Sequence, residues 1–165
     1  MRFRPYKPGD AEKIVTWVDE YTTFMKWSAG KIEYPLTVEI LNDHIKAYEK
    51  DDRAWVFTMT DESGLPVGTI TMLMADFVNN SIHFGFVAIA LDQRNNGLGK
   101  QLMTLALRFA FEILNVTEAT LKVFDNNPSA KACYEAVGFH VSAHHEKTFS
   151  VGKEKWGYYD MTARK

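Results

Sequence analysis

The sequence predicts one layered domain of mixed class, α/β or α+β, over residues 1–165, and three observations carry that prediction. Three apolar runs, 53–60, 67–76 and 81–90, follow one another through the short turns "DESGLP" and "VNNS", as an antiparallel meander does. The third run passes through a glycine loop, "LDQRNNGLGK", into a long apolar helix and then the strand-like "EATLKVFD". Two last runs, "FHVSAHHEKTF" and "KEKWGYYDMTA", read as a closing pair of strands.

The elements justify themselves in order. "MRFRPYK" alternates and reads as a short first strand. "GDAEKIVTWVDEYTTFM" places Ile14, Trp17, Val18 and Tyr21 at helical spacing, with Asp10 as its cap. After the loop "KWSAGKIEYPLT", the segment "TVEILNDHIKAYEK" puts Val38, Leu41, Ile45 and Tyr48 on one helical face. The helix at 99–114 is mostly apolar, and its polar residues Gln101, Thr104, Arg108 and Glu112 form one stripe, so it is buried on most sides. "NNPSAKACYEAVGF" is a short helix with Asn127 at its cap, Pro128 in its first turn and Gly138 at its end.

Bulk properties narrow the function classes. A chain of 165 residues, 46% hydrophobic, with formal net charge −2, lacks the basic face of a sequence-independent nucleic-acid binder. The single cysteine, Cys133, excludes an internal disulfide. "MRFRPYKPGD" has no apolar signal region, and no run approaches the ~20 apolar residues that span a bilayer. The expectation is a soluble, cytoplasmic protein with no membrane partner. His140, His144 and His145 have no Cys or carboxylate set to complete a metal site, so no metal is expected.

The glycine loop carries the chemistry. A helix N-terminus has unpaired N–H groups and partial positive charge. Gly97 and Gly99 clear side chains from the approach, Asn95 and Asn96 tolerate left-handed backbone, and Arg94 and Lys100 add charge. A phosphate or pyrophosphate cradle fits, and so does a ligand-free glycine turn. A Walker A loop would need glycine where Arg94 stands and Ser or Thr where Gln101 stands. The dinucleotide fingerprint would need glycine where Leu102 stands.

Arg94-x-x-Gly97-x-Gly99, after "FVAIALDQ" and before a long helix, resembles motif A of the GNAT superfamily of N-acetyltransferases. Asn127, Ala130, Tyr134, Gly138 and Phe139 resemble that family's second signature, in the right order downstream. The strong match covers about residues 82–139. The resemblance implies an α+β GNAT fold: a mixed, mostly antiparallel sheet with a V-shaped split between its central strands, and flanking helices. It implies acetyl-coenzyme A as co-substrate and direct attack by a primary amine in a ternary complex. The amine would be a small molecule, a protein N-terminus or a lysine. A homodimer is the family's prior, and a weak or inactive acyl-CoA-binding module is the alternative.

The resemblance also assigns residues. The backbone of Val87, Ala88 and Ile89 would pair with the pantetheine amides and stabilise the oxyanion. The N–H groups of Asn95, Asn96, Gly97, Leu98, Gly99 and Lys100 would hold the diphosphate, with Arg94 at the rim. Asn127 would contact the cofactor while capping its helix. Tyr134 would hydrogen-bond or protonate the departing thiolate; without the motif it would read as a core tyrosine. The family's base positions carry His83 and Lys122 here, and neither is glutamate. His83 shares a strand face with Gly85, Val87 and Ile89 by period two, and an imidazole near ~6.5 is a workable base; a partly buried histidine without that role is the plainer reading. Trp27, Tyr34 and Trp156 fall in segments that line the family's acceptor side. Cys133 reads as a small buried hydrophobe.

Overall fold

The computed structural model describes residues 1–165. Seven strands form one sheet: β1 (Arg2–Pro5), β2 (Trp55–Thr60), β3 (Pro66–Asp76), β4 (Ser81–Ile89), β5 (Glu118–Phe124), β6 (His140–Val151) and β7 (Glu154–Arg164). Their order is β1-β2-β3-β4-β5-β7-β6, and every neighbouring pair is antiparallel except β4 and β5. The sheet is therefore mixed and mostly antiparallel, as expected. The closing strands form a hairpin, but β7 inserts between β5 and β6.

Helices cover both faces. On one lie α1 (Ala11–Ile14), α2 (Tyr21–Ser28) and α3 (Val38–Lys46), packed through Ile14, Phe24 and Leu41 against Leu73, Phe86 and Ala88. On the other lie α4 (Leu98–Arg108) and α5 (Pro128–Glu135), where Leu102, Met103 and Ala106 meet Ile70, Phe84 and Leu121. The polar stripe of α4 is exposed as the pattern requires, and the helix continues as one wider turn over Phe109–Ile113. No helix is long and apolar enough to cross a membrane.

The single helix expected over "GDAEKIVTWVDEYTTFM" is two. The backbone leaves helical geometry at Val18 (φ −134°), and Glu20 starts α2 by accepting the Thr22 and Thr23 N–H groups, each at 2.8 Å. Asp10 is not a cap. It already lies in helical backbone, and its buried carboxylate is taken by Arg4 through two bonds of 2.8 Å, by the Lys7 N–H and by the Thr58 hydroxyl.

Two features of β4 position the site. Its parallel ladder with β5 runs from Ser81–Glu118 to Phe84–Leu121 and stops. Beyond that point β4 is held by β3 as far as Ile89–Gly68, and β5 by β7 as far as Phe124–Tyr158. Each strand keeps its outer partner and loses its inner one, so the sheet splits into a V.

The second feature is a bulge. Thr69 faces Ala88 but Thr71 faces Gly85, so β4 carries one extra residue, with Phe86 at φ 51°. A bulky residue is rare there, and the strain, of order 1–3 kcal/mol, is held by packing. The extra residue also flips the alternation. Val87 and Ile89 pack against the α4 core, whereas Phe86 and Ala88 join the α1–α3 core. His83 pairs with Leu73 on that second face. His83 and Gly85 therefore do not share a face with Val87 and Ile89: the period-two expectation fails at the bulge.

Candidate active site

The V opens into a cleft of about 770 Å³, walled by β4, β5, α2, α5 and the loop before α4. That volume suits a cofactor-sized ligand. Val87, Ala88 and Ile89 line it, as do Arg94, Asn95, Gly97, Gly99, Lys100, Asn127 and Tyr134; Asn96 and Leu98 do not, and the Leu98 side chain is buried in the α4 core.

The backbone of β4 is not uniformly available. Ala90 N–H donates to Val67 O at 3.0 Å, so alternation aims the polar groups of Ala88 at β3 and those of Val87 and Ile89 into the V. Ile89 O accepts from Arg94 Nε at 3.2 Å, which agrees.

The loop does what its glycines allow. No backbone N–H from Asn95 through Lys100 donates to a protein acceptor, whereas Gln101 N–H closes the first turn on Gly97 O at 3.1 Å. Gly97 is needed for its backbone (φ 80°), and nothing stands within 4 Å of where a side chain would start. Gly99 is needed for packing: a Cβ there would lie 3.0 Å from Cys133 Sγ on α5. The second glycine thus lets α5 close on α4 and wall the cleft. Arg94 is exposed, and partial desolvation of its guanidinium lowers its pKa. Its guanidinium donates to Ile89 O and, at 2.9 Å, to Trp17 O, so it ties the loop to β4 and to the turn that follows α1.

At the other side of the V, Asn127 Oδ1 accepts from Ala130 N at 3.4 Å and caps α5, leaving its amide N–H₂ free of protein acceptors. Tyr134 is 9% exposed, and its phenol is pushed up by burial, then by Cys133. It therefore stays protonated and able to donate. Burial raises the Cys133 thiol as well, against the pull of Lys100, so this sulfur is not a ready thiolate.

His83 lies outside the cleft lining. Its Nδ1 is 2.9 Å from Thr120 Oγ1, and burial, then Lys31 and Lys122, push the imidazole down to about 4 against the opposing pull of Asp160. It is neutral through the physiological range. Lys122 does line the cleft, with Nζ 2.6 Å from Asp160 Oδ1 and 4.6 Å above the Tyr158 ring.

Sequence reasoning put Trp27 near the site but missed Thr23, Lys26 and the face of α2 that presents all three. Thr23, Lys26 and Trp27 project into the cleft from positions i, i+3 and i+4. Trp27 stacks edge-on against Phe86, and its buried Nε1 has no protein partner. Reading 26–37 as loop hid this; the helix only becomes visible once Glu20 is recognised as its start. Of the other aromatics expected nearby, Tyr34 donates to Asp19 O and packs on Tyr21, while Trp156 is buried against Phe124 and Val151. His144 and His145 stack on Tyr159 and Tyr158 and face Asp125 and Asp160.

Comparison with known proteins gives consistent findings. The family model described as "Acetyltransferase (GNAT) family" matches residues 14–139. Spermidine N(1)-acetyltransferase of Vibrio cholerae is 27% identical over 113 residues, which span 68% of this chain and 62% of that protein. The crystal structure of spermidine N-acetyltransferase from Vibrio cholerae in complex with CoA and spermine superimposes with a TM-score of 0.86 at 21% identity, covering 99% of this chain and 94% of that one. A chimera of spermidine N-acetyltransferase from Vibrio cholerae and hSSAT gives 0.83 at 21%, covering 99% and 96%. At these identities the structural likeness establishes the shared fold.

Proposed function

The chain belongs to the acetyltransferase (GNAT) family, and on that premise we propose that it moves an acetyl group from acetyl-coenzyme A to a primary amine by direct attack. The observation that carries the proposal is the V between β4 and β5, lying beside six consecutive backbone N–H groups with no protein acceptor. Those groups, from Asn95 to Lys100, would take the diphosphate at the N-terminus of α4. The inward-facing polar groups of Val87 and Ile89 would take the pantetheine amides and polarise the thioester carbonyl. The free amide hydrogens of Asn127 would hold the arm from the opposite side. Arg94 would act on the loop's shape more than on the ligand, since its donors meet backbone carbonyls.

The reaction balances without a covalent enzyme intermediate. The neutral amine attacks the carbonyl carbon and forms the C–N bond. The tetrahedral oxyanion collapses and the C–S bond breaks. The departing sulfur takes the Tyr134 hydroxyl proton, and the proton that the nitrogen gives up restores that hydroxyl, directly or through water. A phenol raised by burial stays protonated and donates a hydrogen bond to the developing thiolate, and its proton moves only as the nitrogen's proton replaces it. His83 supports positioning better than proton transfer, because an imidazole near 4 is a weak base for an aminium. Preorganised backbone donors would then carry most of the rate.

Titration calorimetry of the full chain with acetyl-coenzyme A and with ATP, followed by thiol release with a panel of amines, tests this reading. Binding of acetyl-coenzyme A over ATP with amine-dependent release is expected. Tight binding with no release from any amine would leave only the acyl-CoA-binding module. Failure to bind would end both.

A further inference from the structure

The charged residues that line the cleft are Lys26, Arg94, Lys100 and Lys122; no aspartate or glutamate is among the lining residues. Arg94 and Lys100 belong to the loop beside the proposed diphosphate. Lys26 and Lys122 do not. They come from α2 and β5 and line the cleft away from that loop. Lys26 Nζ donates to Asn126 O at 2.9 Å, one residue before Asn127, and so spans the mouth. Lys31, just past α2, adds its field: it depresses both His83 and His44, in each case after burial. Both histidines therefore favour the neutral form and add no positive charge of their own. Two carboxylates stand behind this end: Asp125, just past β5, faces His144 Nε2 at 3.4 Å, and Asp160 offsets part of the Lys122 charge. Asp160 Oδ1 meets Lys122 at 2.6 Å and its Oδ2 meets His145 Nε2 at 2.7 Å.

A polyamine entering here would bring several positive charges into a lining with four cationic side chains, of which only Lys122 is paired with a carboxylate, and with no carboxylate of its own. Like charges placed together in a narrow cleft disfavour the complex and act as a filter on partners. We propose that the acceptor is instead a small primary amine whose far end is anionic, a carboxylate or a phosphate, held between Lys26 and Lys122. The inference rests on the acetyltransferase reading and departs from the spermidine that names the relatives. It also answers the missing glutamates. A cationic surrounding disfavours the protonated form of an incoming amine, so the aminium sheds its proton to water more readily, and less is asked of a side-chain base. One pair of lysines thus fixes the anionic end and helps to free the nucleophilic one.

The test is a ranking of acceptors by kcat/KM on the full chain with saturating acetyl-coenzyme A. The carboxylate arm sets β-alanine and 4-aminobutanoate against their carboxamides, the phosphate arm sets phosphoethanolamine against ethanolamine, and spermidine is the polycation. At least one anionic acceptor should exceed its uncharged counterpart by roughly tenfold, since both lysines keep some contact with water and screening limits the gain. Spermidine should rank below it. Lys26→Gln with Lys122→Gln should bring the ratio to roughly one while the acetyl-coenzyme A Kd moves less than about twofold. Lys26→Glu, a partly exposed position on α2, should raise the rank of spermidine. Spermidine turned over at least as well as every anionic acceptor, or a ranking unmoved by the lysine substitutions, would overturn the inference and leave the acetyltransferase reading standing. Acetyl-coenzyme A bound with no thiol released by any amine would end the activity reading, and this inference with it.

Discussion

The two ends of the cleft are built from different material. At the loop end the functional surface is backbone: six N–H groups freed by a left-handed Gly97 and a helix that starts late. At the β5–α2 end it is side chains: Lys26, Trp27, Lys122 and Tyr134, brought from two helices and one strand distant in sequence. A backbone site needs a conformation, which a few glycines and asparagines specify locally. A side-chain site needs a tertiary arrangement. The first fixes what every ligand of the site must share, and the second fixes how its partners differ.

If that division holds, the two ends should fail differently. The largest effect belongs to the side-chain end. Tyr134→Phe should lower kcat by about a hundredfold, the low end for a positioned acid, with KM for acetyl-coenzyme A changed less than about twofold. Stopped-flow thiol release would measure it, and an unchanged kcat would remove Tyr134 from the chemistry. The loop end should show the reverse. Gly97→Val meets no neighbour, so its cost is only the left-handed backbone, about 1–2 kcal/mol, which either strains or reshapes the cradle. Affinity for acetyl-coenzyme A should fall by roughly tenfold by calorimetry, with kcat at saturation nearly kept. A kcat loss at unchanged affinity would mean that the loop serves the reaction rather than the diphosphate.

The same division explains what could be read in advance. The meander, the glycine loop, the buried helix with its Gln101–Glu112 stripe, and the Asn127 cap are local patterns, and each stands where periodicity placed it. The strand order was less accessible, because β7 and not the earlier β6 pairs with β5, and nothing in a hairpin's sequence says which of its strands takes that place. The helix break at Val18 was hidden because Glu20 is an uncommon cap beside an otherwise continuous apolar pattern. Two other details are invisible to any periodic rule. The bulge at Phe86 shifts the face of everything before it, and Gly99 answers to Cys133, a residue one helix and one strand away.

His83 gives the smallest effect and the finest test, because the bulge decides its role. Placed on the α2–α3 side and bonded to Thr120, it is held near 4 by burial and by Lys31 and Lys122, against about 6.5 for a free imidazole. Between those values the unfolded chain takes up a proton that the folded chain refuses. Its contribution to stability is therefore complete above about 6.5 and is lost as pH falls toward 4, at no more than about 1.4 kcal/mol per pH unit for one group. His44, also depressed, acts in the same direction. Urea midpoints should fall between pH 7 and pH 5, and His83→Gln should flatten that slope while leaving part of it to His44. Catalysis should show no limb near 6.5 belonging to His83, since the ring does not change charge there in the folded protein. An imidazole found by NMR to titrate above 6, together with an activity limb that His83→Gln abolishes, would return His83 to the role of base and take the proton from the solvent.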